Sequence, residues 1–385
     1  MTNKLNNSLN IAVIGGGVIG LSAGWQLLRH GHSVSIYESG KAGASTSRAG
    51  AGMIAPNAEA VFEEEELLVH NRKSLELFKP LLKELAEDSG IDVPTINNRG
   101  SLMVALDQDD RRVLQRLYKF RKSIGLSAEW LSGTEARERE PLLSPKIIAG
   151  LWLEEDCEIN NILLLEALKK AFLNRGGKLL EFNPVNEVKI NENKVEAVNA
   201  KDGLQQFDRV IIAAGSYSGE IKGIGKDLLP PLRPVKGQII ELNSSDECTL
   251  SHMIRSPRIY LVPKDDGRLL LGATSEEKGF DTSVTAGGLW YLLDEGWQTV
   301  PGIYELSKSD DMAGLRPSTP DHRPVIGPCS SIEGLCFATG FFRHGFLLMP
   351  LAAYGLAEFI SNREQSVIPD CFLPARFDTK NVETN

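Results

Sequence analysis

The most regular pattern of apolar and polar positions lies near the start of the chain, where three short elements follow one another. Residues Asn10 to Ile14 are mostly apolar and β-branched, which predicts a strand buried on both faces. Val18 to His30 has apolar residues at helical spacing, and Gly31 after it predicts the helix end. Ser33 to Tyr37 alternates and predicts a second strand. The pattern therefore predicts a strand–helix–strand unit with parallel strands.

Patterns further along the chain predict a region of a different kind. Glu65 to Glu87 and Asp110 to Ile124 carry apolar residues on one helical face, which predicts two amphipathic helices. Three later segments are typical of strands in an antiparallel sheet, with Asp265-Asp266-Gly267 as a hairpin turn between two of them. These strand segments are Leu232 to Leu242, Ile259 to Pro263 and Leu269 to Ala273.

A glycine pattern, G-x-G-x-x-G, lies between the first strand and the first helix. Gly15 allows a tight turn, Gly17 lets a pyrophosphate approach the backbone, and Gly20 lets the helix pack on the strand. The helix dipole favours the phosphate charge, and Glu38 at the end of the second strand can accept hydrogen bonds from ribose hydroxyls. An acidic residue there disfavours a 2′-phosphate, so the pattern predicts a dinucleotide other than NADP. A turn without a ligand is the alternative interpretation.

The segment after Glu38 separates FAD from NAD. Ser39 to Pro56 is rich in small and hydroxyl residues and has no core periodicity, whereas NAD dehydrogenases usually continue into another helix. Such a loop suits the ribityl chain and ring of a flavin. The residues that we expect to contact FAD here are Val18, Ile19, Ser39, Thr46, Ser47, Ala51, Gly52 and Met53.

Composition and charge restrict the remaining classes of protein. The 385 residues allow two domains, and the net charge of −9 argues against nucleic acid as a partner. The five cysteines show neither C-x-x-C spacing nor an even count, which indicates reduced thiols. We expect no metal site at Glu63 to Glu66, no signal sequence, no membrane span and a cytoplasmic location. Whether the chain forms a homo-oligomer stays open.

Several longer motifs carry a resemblance to a known family. IGGGVIGLS, STSRAGAGM, PVKGQ, AGLRPSTPDHRPVIG and LCFATGFFRHGFLLMP together span nearly the whole chain. The chain resembles the glycine oxidases and related flavoenzymes with the D-amino-acid oxidase fold. The resemblance implies an α/β fold, with a Rossmann-like FAD-binding domain and a discontinuous substrate domain built on an antiparallel sheet. The FAD domain is expected at 1–60, 150–215 and 325–375, and the substrate domain at 61–149 and 216–324.

The same resemblance implies roles for four residues in catalysis. Arg316 in GLRP matches the arginine that clamps a substrate carboxylate, and Tyr260 matches a tyrosine whose hydroxyl helps to hold it. Met53 and Arg343 match residues beside the flavin and the substrate. The FAD-binding residues that it adds are Val185, Gly215, Gly340, Phe342, Arg343, His344, Gly345, Phe346 and Leu347. The last helix, about Leu347 to Ile360, is expected to direct its positive end at the flavin, with Pro350 in its first turn.

The implied reaction is oxidative deamination of glycine or another small amino acid or amine, with oxygen as acceptor. Hydride passes from the α carbon to the flavin, so neither His322 nor His344 is expected to act as a base. A glycine-derived product would serve thiazole formation in thiamine synthesis. The alternatives are a dehydrogenase that passes electrons to a quinone or protein, a non-catalytic flavin-binding module, and a nicotinamide dehydrogenase.

Three positions depart from the family pattern. Arg258 stands where glycine oxidases carry histidine, and Ser275 stands where a methionine can wall the pocket. Both predict a more polar and more cationic cavity, which leaves glycine as the leading but unsettled substrate. Gly314 stands near the place where sarcosine oxidases have the cysteine that bonds FAD, so FAD is expected to be non-covalent.

Overall fold

The computed structural model describes residues 8–62, 64–362 and 368–378. Elements are numbered in chain order. The helices are α1 (Val18–Arg29), α2 (Glu65–Ser89), α3 (Gln108–Ser123), α4 (Gly133–Arg139), α5 (Asn161–Asn174), α6 (Ala286–Thr299) and α7 (Gly345–Asn362). The first ten strands are β1 (Asn10–Ile14), β2 (Ser33–Tyr37), β3 (Met53–Ile54), β4 (Ile96–Asn97), β5 (Ser101–Ala105), β6 (Glu129–Ser132), β7 (Ala149–Leu153), β8 (Cys157–Ile159), β9 (Lys178–Leu180) and β10 (Val185–Asn191). The others are β11 (Lys194–Ala200), β12 (Gly203–Gln206), β13 (Arg209–Ile212), β14 (Arg233–Asn243), β15 (Met253–Arg255), β16 (Tyr260–Pro263), β17 (Arg268–Gly272), β18 (Lys308–Ser318), β19 (Val325–Pro328) and β20 (Leu335–Thr339).

A six-stranded sheet contains the predicted strand–helix–strand unit. Its order is β19-β20-β13-β1-β2-β9, and every pair is parallel except β19 with β20. Ile11 and Val13 face the helices α1, α5 and α7, while Ala12 and Ile14 face the small sheet of β10, β11 and β12. Because both faces of β1 are covered, its sequence is nearly all apolar, and the predicted buried strand is confirmed.

Helix α2 packs beside α7 in the core of this first sheet, although its sequence lies in the range predicted for the substrate domain.

The helix α7 begins at Gly345, so Pro350 is not in its first turn as predicted but one turn further in. Proline removes one amide donor from the helix interior and crowds the preceding turn. The next amide, of Leu351, donates to Ser74 Oγ of α2 at 3.3 Å, so the neighbouring helix supplies a partner at this bend.

The second large sheet has eight strands, in the order β18-β14-β17-β16-β15-β5-β7-β6. All its pairs are antiparallel except β5 with β15, which confirms the predicted antiparallel character of the later strands. Gly267, at a φ of +84°, forms the predicted turn between β16 and β17. Helix α6 covers one face, where Leu271 and Leu292 are buried, and the other face borders the cavity described below.

A short sheet of β3, β8 and β4 joins the two large sheets. Met53 of β3 pairs with Glu158 of β8 and packs near Tyr260 of the eight-stranded sheet. Behind this loop the buried ammonium of Lys264 contacts the Glu158 carboxylate and donates to the Ile159 carbonyl at 2.8 Å. These contacts fix the loop of the nucleotide unit against the second sheet. Within the described residues, we find no helix with the length and apolar character needed to cross a bilayer.

Candidate active site

A cavity of about 720 Å³ extends between the two large sheets. The glycine-rich turn after β1 lines one end, and Arg316 and Tyr260 line the other. Both ends belong to one continuous space, so a long ligand with a nucleotide at one end fits it. The predicted residues that line this cavity are Gly15, Gly17, Val18, Ile19, Glu38, Ser39, Thr46, Ser47, Ala51, Gly52, Met53, Val185, Gly215, Phe342, Arg343, Gly345 and Phe346.

The glycine turn is packed so closely against backbone atoms that Gly15 and Gly20 have no room for a side chain. Gly15 has a φ of +112°, and a Cβ on it would lie 2.4 Å from the Ala213 carbonyl oxygen. A Cβ on Gly20 would lie 1.9 Å from the Gly15 carbonyl oxygen, so Gly20 serves the packing of α1 on the turn rather than the cavity wall. Gly17 precedes α1 without a side-chain cap of its own. Backbone amides at the start of α1 therefore lie at the cavity wall, which suits a pyrophosphate.

Polar side chains fix the rest of the nucleotide end. The Glu38 carboxylate accepts hydrogen bonds from the backbone amides of Gly16, at 2.7 Å, and Gly40, at 2.9 Å. Ser47 Oγ accepts from the Val18 amide at 3.0 Å. Thr46 Oγ1 accepts from the Leu315 amide at 3.1 Å, which ties the small-residue loop to β18. The turn, the carboxylate and the loop together fit FAD.

Two glycines leave room for the side chains of Arg316 and Tyr260 at the other end. Arg316 extends from β18 across Gly237 of β14, where a Cβ would lie 2.4 Å from Arg316 Nη2. Tyr260 extends from β16 across Gly272 of β17, where a Cβ would lie 2.5 Å from the Tyr260 hydroxyl. Since β14 and β17 are neighbours, the guanidinium and the hydroxyl approach each other from opposite sides.

The charges favour an anion between these two groups. Arg316 Nη1 donates to the Thr274 carbonyl at 3.1 Å, and among the described residues it forms no ion pair with a carboxylate. Burial raises the pKa of Tyr260 above its ordinary value, although the guanidiniums of Arg316 and Arg255 act in the opposite direction. The hydroxyl therefore stays protonated and can donate. A free guanidinium beside a phenol is a suitable receptor for a carboxylate.

Arg343 belongs to a network of charges next to this receptor, in which the carboxylates of Glu59 and Glu64 are buried. Its Nε lies 3.3 Å from Glu59 Oε2, and its Nη2 lies 3.1 Å from Glu64 Oε2. Glu64 also accepts a contact of 3.1 Å from His322 Nδ1. Burial would raise the pKa of Glu59, but the guanidiniums of Arg255 and Arg343 outweigh it and lower that pKa to about 2. Glu59 thus stays ionised and holds both arginines at the cavity.

The extra cation of the cavity is different from the one that the sequence indicated. Arg258 lines the cavity, but its guanidinium contacts Asp110 at 2.9 Å and Glu295 at 2.8 Å, so two carboxylates neutralise it. Arg255, three residues earlier, lines the cavity and pairs only with Glu59 among the described residues. Ser275 and Gly314 also line the cavity, as their positions in the motifs predicted.

Four predicted FAD-binding residues do not line the cavity: Gly20, Gly340, His344 and Leu347. A Cβ on Gly340 would lie 2.9 Å from Thr319 Cγ2, so this glycine permits packing behind the wall. His344 is buried with its Nε2 3.8 Å from Glu64 Oε2, and Leu347 lies in the core. These residues support the wall from behind, and a direct contact with FAD stays a prediction.

The sequence missed Glu59, Glu64 and Arg255, and it missed the role of Gly237 and Gly272. From the sequence, Glu64 belongs to an acidic segment in which no metal site is expected, and nothing in that pattern indicates a contact with the cavity. One signal was present, because Arg255 and Tyr260 lie five residues apart across a short turn, which can place them opposite each other in a hairpin. The glycine roles depend on strand register, which no local pattern gives.

A group of potential metal ligands lies outside the cavity. Glu66, His70 and Cys371 bring one ligand atom each within 4.8 Å of one another. Glu66 also contacts Arg323 at 2.8 Å, a cation that competes with any metal there. The sequence prediction had no metal site in this acidic segment, and the cluster has no connection with the cavity.

The model of the family described as FAD dependent oxidoreductase matches residues 10–359. This chain belongs to that family. Its cofactor is accordingly FAD, and the predicted fold class is confirmed. Within this family, the chain is similar to a glycine oxidase of Geobacillus kaustophilus, with 31% identity over 94% of this chain and 95% of the relative. A glycine oxidase of Bacillus subtilis is 29% identical over 96% of this chain and 97% of its own length.

Solved structures give the same result. The crystal structure of glycine oxidase from Geobacillus kaustophilus has a TM-score of 0.87 and 30% identity, and the match covers 96% of this FAD-dependent oxidoreductase and 99% of that chain. Glycine oxidase from Bacillus cereus has a TM-score of 0.85 and 28% identity, covering 93% and 96%. An L-proline dehydrogenase from P. horikoshii, at 23% identity and a TM-score of 0.81, shares the fold.

Proposed function

We propose that this enzyme oxidises glycine or another small amino acid at its α carbon. The observation that carries the proposal is Arg316, a guanidinium without a carboxylate partner among the described residues, which lines the same cavity as Tyr260 and the glycine turn. Bound FAD supplies a two-electron acceptor for the hydride that leaves the α carbon. The relatives named glycine oxidase support this choice of substrate class.

The side chains of this enzyme would bind and orient the amino acid. Arg316 presents a planar fork of donors to the carboxylate, a geometry that lysine cannot reproduce. Tyr260 adds a hydroxyl donor from the opposite side. Because both groups are held against the sheet, the α carbon is positioned relative to the Met53 loop that leads to the nucleotide end. Positioning of this kind contributes a large part of a catalysed rate.

No side chain near this receptor is required as a base. His322 and His344 both contact the carboxylate of Glu64, so each already has a partner within the charge network. We infer that the amino acid reacts with its amine unprotonated. Water then hydrolyses the imine, and the balanced reaction consumes one amino acid, one oxygen and one water to give a 2-oxo acid, ammonia and hydrogen peroxide.

The setting of this reaction is part of the proposal. Oxygen is the electron acceptor, FAD is held without a covalent bond, and the enzyme works in the cytoplasm. If the substrate is glycine, its product serves thiazole formation in thiamine synthesis. Relatives named "Bifunctional protein ThiO/ThiG", such as the one from Trichormus variabilis, are 29% identical over 97% of this chain and 56% of the relative, which supports this placement.

The test is peroxide release by the purified enzyme with glycine, sarcosine and a set of D- and L-amino acids. We expect a yellow protein whose flavin absorbance is bleached anaerobically by its substrate and returns rapidly in air. Rapid bleaching with very slow return would identify a dehydrogenase that uses a quinone or a protein acceptor. A yellow protein that no amine reduces would overturn the proposal and favour a flavin-binding module, and a colourless protein would favour a nicotinamide enzyme.

A further inference from the structure

A second polar group lines the cavity beyond Tyr260, on the side away from Arg316. Arg255 of β15 stands directly opposite Tyr260 of β16 in the strand register, and both side chains face the cavity. Arg255 Nη1 donates to Glu59 Oε1 at 2.5 Å, and Glu59 lines the same cavity. The sheet order places this pair on the far side of Tyr260 from the carboxylate receptor.

The Arg255–Glu59 pair has hydrogen-bonding capacity that the protein does not use. A guanidinium has five N–H donors, and within the described residues Arg255 donates only to Glu59. None of its nitrogens is among the buried polar atoms without a partner, and its side chain is 18% exposed, so the unused donors reach the cavity. The Glu59 carboxylate can likewise accept more hydrogen bonds than the two arginines supply.

The charges around the pair select the kind of group that fits it. Glu59 and Glu64 balance the guanidiniums of Arg255 and Arg343, while Arg316 has no carboxylate partner among the described residues. One substrate carboxylate therefore supplies the counter-charge that Arg316 lacks at this end of the cavity. A second carboxylate would lie next to Glu59 without a free cation, and an unpaired buried charge is costly. An uncharged group with a donor and an acceptor fits both members of the pair.

We propose that Arg255 and Glu59 recognise a hydroxyl or carboxamide substituent on the amino acid, which rests on the function proposed above. Arg255 donates to the oxygen of the substituent, and Glu59 accepts from its hydroxyl or amide hydrogen. Small amino acids with such a side chain are therefore better substrates than alanine or glycine. The pair determines specificity, while Arg316 and Tyr260 hold the carboxylate that all these substrates share.

The test compares kcat/KM for glycine, alanine, serine, asparagine and aspartate, with each chiral amino acid offered as both enantiomers. Peroxide release and anaerobic flavin bleaching are the two measurements. In the wild-type enzyme we expect serine to exceed alanine, and asparagine to exceed aspartate, by about tenfold or more, the effect of one hydrogen bond to a charged group. This comparison needs no variant. Equal or reversed ratios would overturn the inference, and aspartate as the best substrate would identify an anion site instead.

Variants then assign the preference to the pair. Arg255→Met is expected to lower the serine-to-alanine ratio of kcat/KM about tenfold, and Arg255→Lys is expected to lower it less, because a cation remains. Arg112→Met removes an exposed arginine of α3 that does not line the cavity, so it should keep the wild-type ratio. The double variant Arg255→Met with Glu59→Gln leaves no unpaired carboxylate, and it should lose the preference as well.

The outcomes separate this inference from the proposed function. If Arg255→Met lowers kcat/KM for all substrates by the same factor, the residue has only a structural role and the inference fails. Flavin content and melting temperature show whether each variant has folded. If glycine is oxidised without any preference for serine or asparagine, the specificity inference alone fails. If no amino acid reduces the flavin, the proposed function fails with it.

Discussion

The two ends of the cavity are built in different ways. At the nucleotide end, Gly15, Gly17 and Glu38 lie within one strand–helix–strand unit, and most of the groups facing the cavity are backbone amides or small residues. At the proposed substrate end, Arg316 and Tyr260 come from β18 and β16, two strands that are not neighbours in the sheet. Local chain geometry forms the first end, whereas strand register forms the second.

Because the two ends are built differently, we expect substitutions at one end to impair FAD binding and substitutions at the other end to impair the reaction with amino acids. A substitution at the nucleotide end should remove FAD and with it all activity, whatever the substrate. A substitution at the substrate end should leave the flavin bound and change only how amino acids react. The predictions below test whether the ends are as independent as their construction suggests, from the largest expected effect to the smallest.

Gly15→Ala should give a protein that does not retain FAD. The added Cβ would lie 2.4 Å from the Ala213 carbonyl oxygen, at a φ of +112° that L residues avoid. The measurement is the ratio of flavin to protein absorbance after purification. Gly31→Ala is the matched control, because Gly31 also has a positive φ, +86°, but a Cβ there meets nothing within 4 Å. A Gly15→Ala protein with a full complement of FAD would contradict the interpretation of this turn.

Arg316→Ala should lower kcat/KM for every amino acid by about 10³-fold, since two hydrogen bonds to a charged carboxylate are lost. The flavin should stay bound, because Arg316 lies at the other end of the cavity. Steady-state peroxide release and the flavin spectrum are measured on the same sample. Arg316→Lys restores the charge without the fork and should recover only part of the rate. Loss of FAD from Arg316→Ala would show that the ends are coupled.

Gly237→Ala should lower kcat/KM by about 10²-fold although it changes no polar group. Its Cβ would lie 2.4 Å from Arg316 Nη2, so the guanidinium must move, and misplacement of about 1 Å has effects of this size. Gly287→Ala, where a Cβ meets nothing within 4 Å, is the control and should keep the wild-type rate. Unchanged kinetics in Gly237→Ala would show that the receptor does not depend on strand register.

Tyr260→Phe should lower kcat/KM by about tenfold, the loss of one hydrogen bond to a charged group. Burial raises the pKa of the Tyr260 hydroxyl above its ordinary value, so the donor is present throughout the neutral and mildly alkaline range. The wild-type enzyme and Tyr260→Phe should therefore show the same alkaline limb in a plot of kcat/KM against pH. An alkaline limb that disappears in Tyr260→Phe would mean that this hydroxyl titrates within the measured range.

Predictions from the sequence were most accurate where neighbouring residues act together. Strand β1, helix α1 and strand β2 lie within one residue of their predicted bounds, and the turn at Gly267 is where the local pattern placed it. Motifs also indicated Arg316 and Tyr260, which line one cavity. The start of α7 was predicted two residues late, which placed Pro350 in the wrong turn.

Predictions from the sequence were less accurate where residues far apart in the chain determine the contacts of a side chain. The sequence indicated Arg258 as the added cation, yet carboxylates from the helices α3 and α6 neutralise it, and Arg255 is the arginine with unused donors. The number of carboxylates that reach each arginine depends on residues more than thirty positions away, and no periodicity encodes that pairing.

By itself, the sequence determined the class of fold and the dinucleotide turn, and its motifs indicated the residues of the proposed carboxylate receptor, because these depend on local spacing and on motifs within single segments. Only the tertiary structure decided how the receptor is assembled. Gly237 and Gly272 acquire a role because antiparallel register sets them beneath Arg316 and Tyr260. Arg255 and Glu59 acquire their proposed role because folding brings together two residues 196 positions apart in the sequence. The pair then lines the cavity with hydrogen-bond donors and acceptors that the protein does not use.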